Sequence, residues 1–595
     1  RADPGAPARA AAGVSRFNPF KTLGNALAHR GACQPRSRTM HLRNILSLLL
    51  LLPVWPGCVT TAAAASPQQA ARDLAAFLDG IPELGPGYAV VIVDRDQQLL
   101  GYTRGVRNAS SQAPLTMHTP MYIASQTKSY MGLLAQVLDR QGVLRLDSTM
   151  SDHWPRLRVP DGVDPAAWTL ADLLNHRVPL SADAVTTLEA YIGSPDPALY
   201  PQLLQQFASK RADGFDYDNL GYNIYAAILQ QHTGRSWQDW LQQTLFTPLQ
   251  LHETATNTSS FDPAQLAFNH QWLGAEQGWR LVPPKPDVLM HSAGGMMTSP
   301  RDMGRWLRLQ LGATLSPQLN ARLLDAAHRA GVQVDPKARN AYELPCNGYA
   351  YGWNVCDFEG HTLYIHGGSY TGARSMMAFS PDLGVGIGVF SNSDNATGWL
   401  TSRTVVQFFQ YLIDHPGADS WARTRQQVYP QRVAEQLSGM RARQVAVRQE
   451  PRWQGWRWQP ALASFVGTFQ AERLPATARI VRDGDALQLQ VGALTRTLQP
   501  AAPGLFGAQD GPLDVVQPLE FRPDGDGFEF EGEIYRRRPA GELPDGHEAR
   551  GHGSAGLPLP GIGPEEPCPH GAGERMHRMP ATARRCMRRQ KAGLI

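Results

Sequence analysis

An apolar run with helical periodicity, residues 131–144, follows closely on the tetrapeptide Ser125-Gln-Thr-Lys128. If a helix begins here, side chains three residues apart share one face, so the amine of Lys128 stands beside the hydroxyl of Ser125. A serine hydroxyl is too weak an acid to attack at neutral pH, but a buried, deprotonated amine can take its proton. A helix N-terminus adds backbone N–H groups where negative charge would develop. The stretch therefore predicts an activated serine nucleophile.

Lysine is scarce in this chain, since only six of its 56 basic residues are lysines and the rest are arginines. Arginine effectively never loses its proton, whereas a desolvated lysine can. A lysine at position 128 therefore fits a chemical need for a base. The alternative is a solvated lysine on the first helical turn, because two fixed residues in four recur by chance in most chains of this length.

Composition excludes several classes of function. The 595 residues are 42% hydrophobic and 18% charged, which is ordinary for a globular protein of more than one domain. The formal net charge of +4 is too small to favour nucleic acid, and the body contains no basic stripe interleaved with aromatic residues. No Cys-x-x-Cys or His-Glu-x-x-His pattern indicates a metal. We expect no nucleic-acid partner, no metal and no cofactor.

The first 66 residues resemble a leader rather than part of the fold. Residues 1–39 are rich in Ala, Arg, Pro and Gly and look like upstream, non-structural sequence. Residues 40–66 read as a signal peptide, with a short basic start, the apolar run 45–52 and small residues at 62–65. This predicts export, to the periplasm or beyond. Lipidation at Cys58 is the alternative, and it alone would attach the protein to a membrane.

The body, residues 67–415, has an order of elements that predicts an α+β fold. The order is a helix, a β-hairpin, a long helical insert, an antiparallel meander and a last helix, at residues 67–78, 88–103, 168–243, 362–391 and 399–413. The two terminal helices would cover one face of a sheet built from hairpin and meander, with the insert on the other face. Ser125 would then lie where insert meets sheet, near a sheet edge at 365–369.

Two more groups of residues occupy suggestive places. Tyr217 and Asn219 offer a phenol and an amide just before a helical run, where a tyrosinate beside a lysine could move protons. His366 precedes Gly367 and Gly368 on a predicted strand, where glycines permit close approach of a ligand. The alternatives without a catalytic role are an ordinary polar turn for the first group and, for the second, a half-buried histidine whose hydrogen bonds are satisfied within the fold.

Two cysteines fall within the body. Cys346 and Cys356 flank a short segment, and in an exported protein such a near pair predicts a local disulfide rather than a metal site.

In this order, the three patterns resemble the serine β-lactamase and penicillin-recognising enzyme superfamily, specifically its class C-like branch with esterases and D-aminopeptidases. Those proteins carry Ser-x-x-Lys, Tyr-x-Asn and Lys-Thr-Gly or His-x-Gly. Segments 169–176, 245–249 and 292–303 also look like linking segments of that family. The resemblance covers roughly residues 70–415 and implies an antiparallel sheet of the β-lactamase and transpeptidase type.

The resemblance also implies roles. Ser125 would be the acylated nucleophile, Lys128 and Tyr217 would share the proton transfers, and Asn219 would orient the substrate. The backbone N–H groups of Ser125 and Ser369 would form the oxyanion hole.

The third pattern departs from its commoner form. Gly367 and Gly368 would leave room for the substrate, but His366 stands where many relatives have lysine. With an unperturbed pKa of about 6.5, a histidine is mostly uncharged at neutral pH. The departure predicts weak binding of carboxylate-bearing β-lactams.

The C-terminal part of the chain, from residue 416 onwards, is predicted to consist of three segments. Residues 416–458 are rich in Arg and Gln and predict a linker with one helix. Short β-type runs recur at 459–540 and predict a small antiparallel barrel or sandwich, which resembles the β-barrel appended to many such hydrolases. Residues 541–595 are rich in Gly, Pro and Arg and predict a disordered tail.

The leading hypothesis is an exported serine hydrolase that acts through an acyl-enzyme on small esters, amides or peptides. The alternatives are a β-lactamase or D,D-peptidase acting on penicillins or cell-wall peptides, and a catalytically idle homologue that binds cell wall or a partner. The oligomeric state is left open.

Overall fold

The computed structural model describes residues 65–539, except 161, 338 and 454–459. The predicted leader, the lipidation candidate Cys58 and the predicted tail lie outside the described residues, apart from the end of the leader at 65–66. Within the described part, every helix is too short or too polar to cross a membrane.

Helices are concentrated between residues 120 and 330 and at the two ends of the body. The helices of the described residues are α1 Pro67–Asp79, α2 Thr127–Arg140, α3 Met150–His153, α4 Leu170–Leu174, α5 Asp183–Thr187, α6 Tyr200–Phe207, α7 Leu220–Thr233, α8 Trp237–Leu241, α9 Thr247–Leu249, α10 Pro300–Gln310, α11 Ala321–His328, α12 Leu400–Leu412 and α13 Ala418–Arg448.

Local sequence explains several helix boundaries. Helix α1 begins after Ser66, whose side chain caps a backbone N–H, with Pro67 in the first turn. Helix α4 starts on a capping box formed by Thr169 and Asp172. Helix α7 ends at Gly234, whose left-handed φ of 69° a side chain would disfavour.

The strands of the body fall into one large sheet and three small ones. They are β1 Gly87–Asp94, β2 Gln98–Asn108, β3 Ala113–Pro114, β4 Met121–Tyr122, β5 Leu180–Ser181, β6 Ser209–Lys210, β7 Thr254–Ala255, β8 Asn269–Trp272, β9 Trp279–Val282, β10 Met297–Thr298, β11 Val332–Gln333, β12 Asn340–Ala341, β13 Leu344–Ala350, β14 Trp353–Phe358, β15 His361–Tyr370, β16 Ala373–Ser380 and β17 Val385–Ser391.

The large sheet joins the start of the body to its end. Its order is β11-β13-β14-β15-β16-β17-β1-β2-β3, with β12 paired to β13. Strand β1 pairs antiparallel with β17, from Tyr88 opposite Ser391 to Asp94 opposite Val385. The predicted union of hairpin and meander in one sheet is confirmed.

Two apolar layers cover the sheet. On one face α1 and α12 bury Leu74, Phe77, Phe408 and Phe409 against Val90 and its neighbours. On the other face α2, α7 and α10 form the larger core. Burying one such Leu or Phe side chain contributes roughly 1.5–3 kcal/mol. The predicted α+β arrangement, with terminal helices on one face and the insert on the other, is confirmed.

The expected sheet edge is only partly right. Strand β15 pairs with β14 as far as Ile365, which lies opposite Asn354, and residues 366–370 continue along β16. The edge therefore begins at His366 rather than at residue 365. Strands β13 and β14 did not stand out in the sequence. They place Cys346 opposite Cys356, and a disulfide joins the two residues.

The C-terminal strands form a closed barrel. They are β18 Gly467–Ala471, β19 Thr477–Asp483, β20 Ala486–Val491, β21 Leu494–Ala502, β22 Leu505–Gln509, β23 Gln517–Phe521, β24 Gly527–Phe530 and β25 Glu533–Arg537. The sequence indicated six strand-like runs. It missed β22, and it merged β24 with β25 across a turn where Glu531 and Gly532 both have positive φ.

The segment predicted as a linker with one helix is mostly helix. Helix α13 spans 31 residues and packs along the body. The side chain of Gln426 donates to the carbonyl oxygen of Phe77 at 2.8 Å, and the Tyr429 hydroxyl donates to that of Glu83 at 2.5 Å. Only one narrow side of this helix is buried, so most of its positions can be Arg, Gln or other polar residues. That composition made the segment look like a linker in the sequence.

Candidate active site

Ser125 lies in a short 3₁₀ turn, Ala124–Gln126, that connects β4 to α2. The Thr127 hydroxyl donates to the Ala124 carbonyl at 2.7 Å, which stabilises the turn. Side chains three residues apart eclipse in a 3₁₀ turn, so Ser125 and Lys128 still share a side. Ser125 is partly exposed while the residues around it are buried.

The amine of Lys128 is held by three oxygens. Its Nζ lies 3.3 Å from Ser125 Oγ and donates to Asn219 Oδ1 at 2.7 Å and to the Ala293 carbonyl at 2.8 Å. The side chain has no exposed surface. Burial lowers the pKa of Lys128 to about 7, against the opposing effect of Asp218. A large fraction of the amine is therefore neutral at physiological pH and able to accept a proton.

Tyr217 faces the same serine from the insert. Its ring centroid lies 4.9 Å from the Lys128 amine. Burial raises the pKa of Tyr217 above its ordinary range, although the nearby Ser125 hydroxyl acts in the opposite direction. The phenol is therefore protonated at rest and can donate a proton.

Asn219 comes directly before α7 and contacts the amine of Lys128. Because its carbonyl oxygen accepts from Lys128, its amide nitrogen is the group that can donate to a substrate. The loop carrying Tyr217 and Asn219 is anchored by Arg211, which donates to the carbonyl oxygen of Asp216 at 2.6 Å and to the carboxylate of Asp218 at 2.9 Å.

Strand β15 approaches the serine turn where it has glycine. A Cβ on Gly368 would lie 1.9 Å from the carbonyl oxygen of Ile123, which is far inside van der Waals contact. A Cβ on Gly367 would lie 3.0 Å from the side chains of Tyr342 and Met376. The close approach at Gly368 sets Ser369, the next residue, beside the turn that carries Ser125.

We expect Gly368→Ala to lower both stability and turnover, because the added methyl must push β15 away from the turn. Overpacking of this kind costs about 1–3 kcal/mol, and displacement of the Ser369 N–H weakens oxyanion binding. Thermal unfolding and kcat measure the two effects. Gly193→Ala is the control, since its nearest neighbour would be 3.5 Å away. Unchanged kcat in Gly368→Ala would contradict the proximity argument.

His366 is buried, with 1% of its surface exposed. Its Nδ1–H donates to the Gly367 carbonyl at 2.8 Å, and its Nε2 lies 3.4 Å from the Tyr349 hydroxyl. Burial, helped by the charge of Lys128, lowers the pKa of His366 to about 3. The unperturbed value of about 6.5 assumed from the sequence is wrong for this environment. The inference of an uncharged residue is strengthened, because the imidazole stays neutral well below neutral pH.

Sequence reasoning missed one member of the site. The Ala293 carbonyl that accepts from Lys128 belongs to a segment noted only as a family-like link. Ala293 is held in turn by Asn223, whose Oδ1 accepts from the Ala293 N–H at 3.1 Å and from the Ser292 hydroxyl at 3.0 Å. A backbone acceptor has no signature in the sequence, so only the Gly-Gly pair that follows Ala293 could have indicated a tight turn.

Known proteins are similar to this chain over its body. The family model described as Beta-lactamase matches residues 74–407. Penicillin-binding protein 4 of Amycolatopsis lactamdurans is 30% identical over 331 residues, which cover 53% of this chain and 83% of that protein. Protein flp of Staphylococcus aureus (strain MW2) is 26% identical over 317 residues, which cover 52% of this chain and 59% of that protein.

Several solved structures align with this chain. The octameric penicillin-binding protein homologue from Pyrococcus abyssi aligns with a TM-score of 0.49 at 18% identity, over 78% of this chain and 99% of that one. The family model spans more than half of the chain, and the first relative is matched over most of its own length. The chain therefore belongs to the β-lactamase family, within the serine hydrolases of the penicillin-binding protein and β-lactamase type.

Proposed function

We propose that this protein is an exported serine hydrolase that forms an acyl-enzyme at Ser125 and acts on small esters, amides or peptides. The observation that carries the proposal is the buried amine of Lys128, which lies 3.3 Å from Ser125 Oγ with its pKa lowered to about 7. A fully buried lysine is costly unless it is used, and perturbed pKa values cluster at functional sites. Export is proposed only from the signal-peptide pattern of residues 40–66.

Acylation follows from the three facing groups. Neutral Lys128 takes the Ser125 proton as the oxygen attacks the acyl carbon, and the N–H groups of Ser125 and Ser369 stabilise the oxyanion. Tyr217 donates its proton to the departing oxygen or nitrogen and regains one from Lys128. Water then attacks the ester of Ser125 by the same transfers in reverse, which restores the free serine and releases the acid.

The direct test is acylation of Ser125. The protein is treated with a fluorophosphonate, and intact mass and peptide mapping locate the adduct, while a nitrophenyl ester reports turnover. We expect a single adduct on Ser125 and hydrolysis of the ester. No adduct from a fluorophosphonate or a penicillin in the folded protein would instead support the idle binding homologue.

A β-lactamase or D,D-peptidase is the second candidate. The 30% identity to Penicillin-binding protein 4 favours it, whereas the neutral His366 disfavours it because a carboxylate-bearing β-lactam finds no cation there. A chromogenic cephalosporin, a D-alanyl-D-alanine peptide and a nitrophenyl ester, compared by kcat/KM, decide between the two. Preference for the cephalosporin or the peptide over the ester would put the second candidate first.

The pH dependence of turnover tests the state of Lys128. Only the neutral amine accepts a proton, so we expect kcat/KM to fall about tenfold for each pH unit below a pKa of about 7. His366 does not contribute, because its pKa lies near 3. Ester hydrolysis from about pH 5 to about pH 9, corrected for the spontaneous rate, gives the profile. A flat profile across this range would contradict the role of Lys128 as base.

A further inference from the structure

A second lysine is buried near the nucleophile. Of the lysines that the structure describes, Lys210 and Lys337 are exposed, but Lys285 has only 3% of its surface exposed. Its Nζ donates to the Tyr122 hydroxyl at 3.3 Å, and that hydroxyl donates to the Gly294 carbonyl. Among the described residues Tyr122 is its single hydrogen-bond partner, so two of the three N–H groups of the ammonium are unused.

The carboxyl group of Glu189 does not complete this site. Glu189 acts on Lys285 electrostatically, but burial raises the pKa of Glu189 to about 8, and no carboxylate of the described residues lies within 4 Å of the amine. The oxygens of Glu189 accept instead from the Tyr200 hydroxyl and the Asn223 amide. Burial lowers the pKa of Lys285 to about 7. A buried amine with unused donors is unfavourable, and such a group requires an explanation.

Lys285 and Lys128 are connected to adjacent carbonyl groups of the same loop, Lys285 through Tyr122. Lys128 donates to the carbonyl oxygen of Ala293, and Tyr122, which contacts Lys285, donates to that of the next residue. Tyr122 is three residues before Ser125. The amine also lies 4.8 Å from the ring centroid of Tyr370, which directly follows Ser369 on β15.

The two ends of this part of β15 can be assigned to the two halves of a substrate. Tyr217, which donates the leaving-group proton, lies with its ring centroid 5.9 Å from that of His366. If Tyr217 has the role proposed above, the leaving group is assigned to the His366 end of the strand and the acyl group to the end at Tyr370. The first end is neutral, because His366 does not ionise near neutral pH. The second end contains Lys285.

The barrel adds a second cation to this end, but a paired one. Arg496 of β21 acts electrostatically on Tyr370, and it lies 3.6 Å from a carboxylate oxygen of Asp510. Its charge is largely compensated by that pair. Lys285 is the amine of this end with unused donors, and a bound carboxylate would favour its protonated form.

We propose that Lys285, with Tyr122 and Tyr370 as its aromatic walls, forms a subsite for a carboxylate carried by the acyl group of the substrate. The proposal rests on the acyl-enzyme function proposed above. A carboxylate has acceptor positions for both unused N–H groups, and a charge-assisted bond in a desolvated site is stronger than a neutral one. A substrate carboxylate would thus be recognised on the acyl side. In relatives that have lysine in place of His366, the corresponding cation stands on the leaving-group side.

The test compares two nitrophenyl esters of similar length, the glutaric acid hemiester and the pentanoate. We expect the wild-type protein to prefer the hemiester in kcat/KM. Lys285→Met should lower kcat/KM for the hemiester at least about tenfold and change that for the pentanoate less than about threefold. Lys210→Met is the matched control on an exposed lysine. If Lys285→Met left the ratio of kcat/KM for the hemiester to that for the pentanoate unchanged, whether or not both values fell, the proposal would be overturned.

A binding measurement separates this proposal from the proposed function. In Ser125→Ala, which cannot turn over, we expect glutarate to raise the melting temperature and pentanamide to leave it unchanged, with the glutarate effect lost when Lys285→Gln is added. Failure of fluorophosphonate labelling in the wild type would overturn the acyl-enzyme function and leave this measurement intact. If Lys285 variants do not fold, the absence of a glutarate shift in Ser125→Ala alone overturns the subsite.

Discussion

Lys128→Arg lowers kcat/KM for a nitrophenyl ester by about 10²–10⁴-fold, which is the usual contribution of a general base. Arginine keeps the positive charge and the reach of lysine, but it cannot lose its proton at any accessible pH. The native amine is fully buried and lies 3.3 Å from the attacking oxygen, so no other group of the site can replace it at that position.

Circular dichroism and thermal unfolding establish that the variant is folded. Lys210→Arg, on an exposed lysine of β6, keeps full activity and serves as the matched control. A folded Lys128→Arg that retained more than about a tenth of the wild-type rate would refute the role of Lys128 as base.

Ser125→Ala abolishes turnover and covalent labelling while leaving the fold unchanged. The hydroxyl is the attacking group, so its loss removes the acyl-enzyme altogether. Ser125 is partly exposed, and its removal leaves only a small void, so the stability change stays within about 1 kcal/mol.

Ser129→Ala provides the matched comparison for this variant. Ser129 is buried one helical turn away, where its hydroxyl donates to the Gln126 carbonyl at 2.9 Å. The Ser129→Ala protein should still label with a fluorophosphonate. Residual labelling of Ser125→Ala at the wild-type rate would place the nucleophile elsewhere.

Local patterns in the sequence predicted most of the body. The period of α1, the β-type run of β17 and the turn between β1 and β2 each depend on a few neighbouring residues, so they could be predicted without knowledge of the fold. Strands β13 and β14 were not, because their glycines, cysteines and polar residues resemble a loop until neighbouring strands pair with them. Strand propensity depends strongly on such context.

The candidate site was predictable in its residue types but not in its electrostatics. The spacing of Ser125 and Lys128 and the scarcity of lysine singled out Lys128 as the candidate base, and the structure places its amine 3.3 Å from the Ser125 hydroxyl. The same scarcity could have drawn attention to Lys285, which was counted but not pursued. The low pKa of His366 depends on burial produced by distant segments, including Tyr349 and Lys128, and no local pattern encodes it.

The pairing of β1 with β17 fixes when the body can assemble during synthesis. Strand β1 lies inside the sheet, yet one of its two neighbours is made roughly 300 residues later, and α1 acquires its packing partner α12 later still. Until then the emerging hairpin presents an open edge and the apolar side chains of β1, with loop-closure entropy opposing premature contacts. Nearly the whole body therefore leaves the ribosome before its sheet can close. The groups that surround Ser125 can come together only at the end of that process.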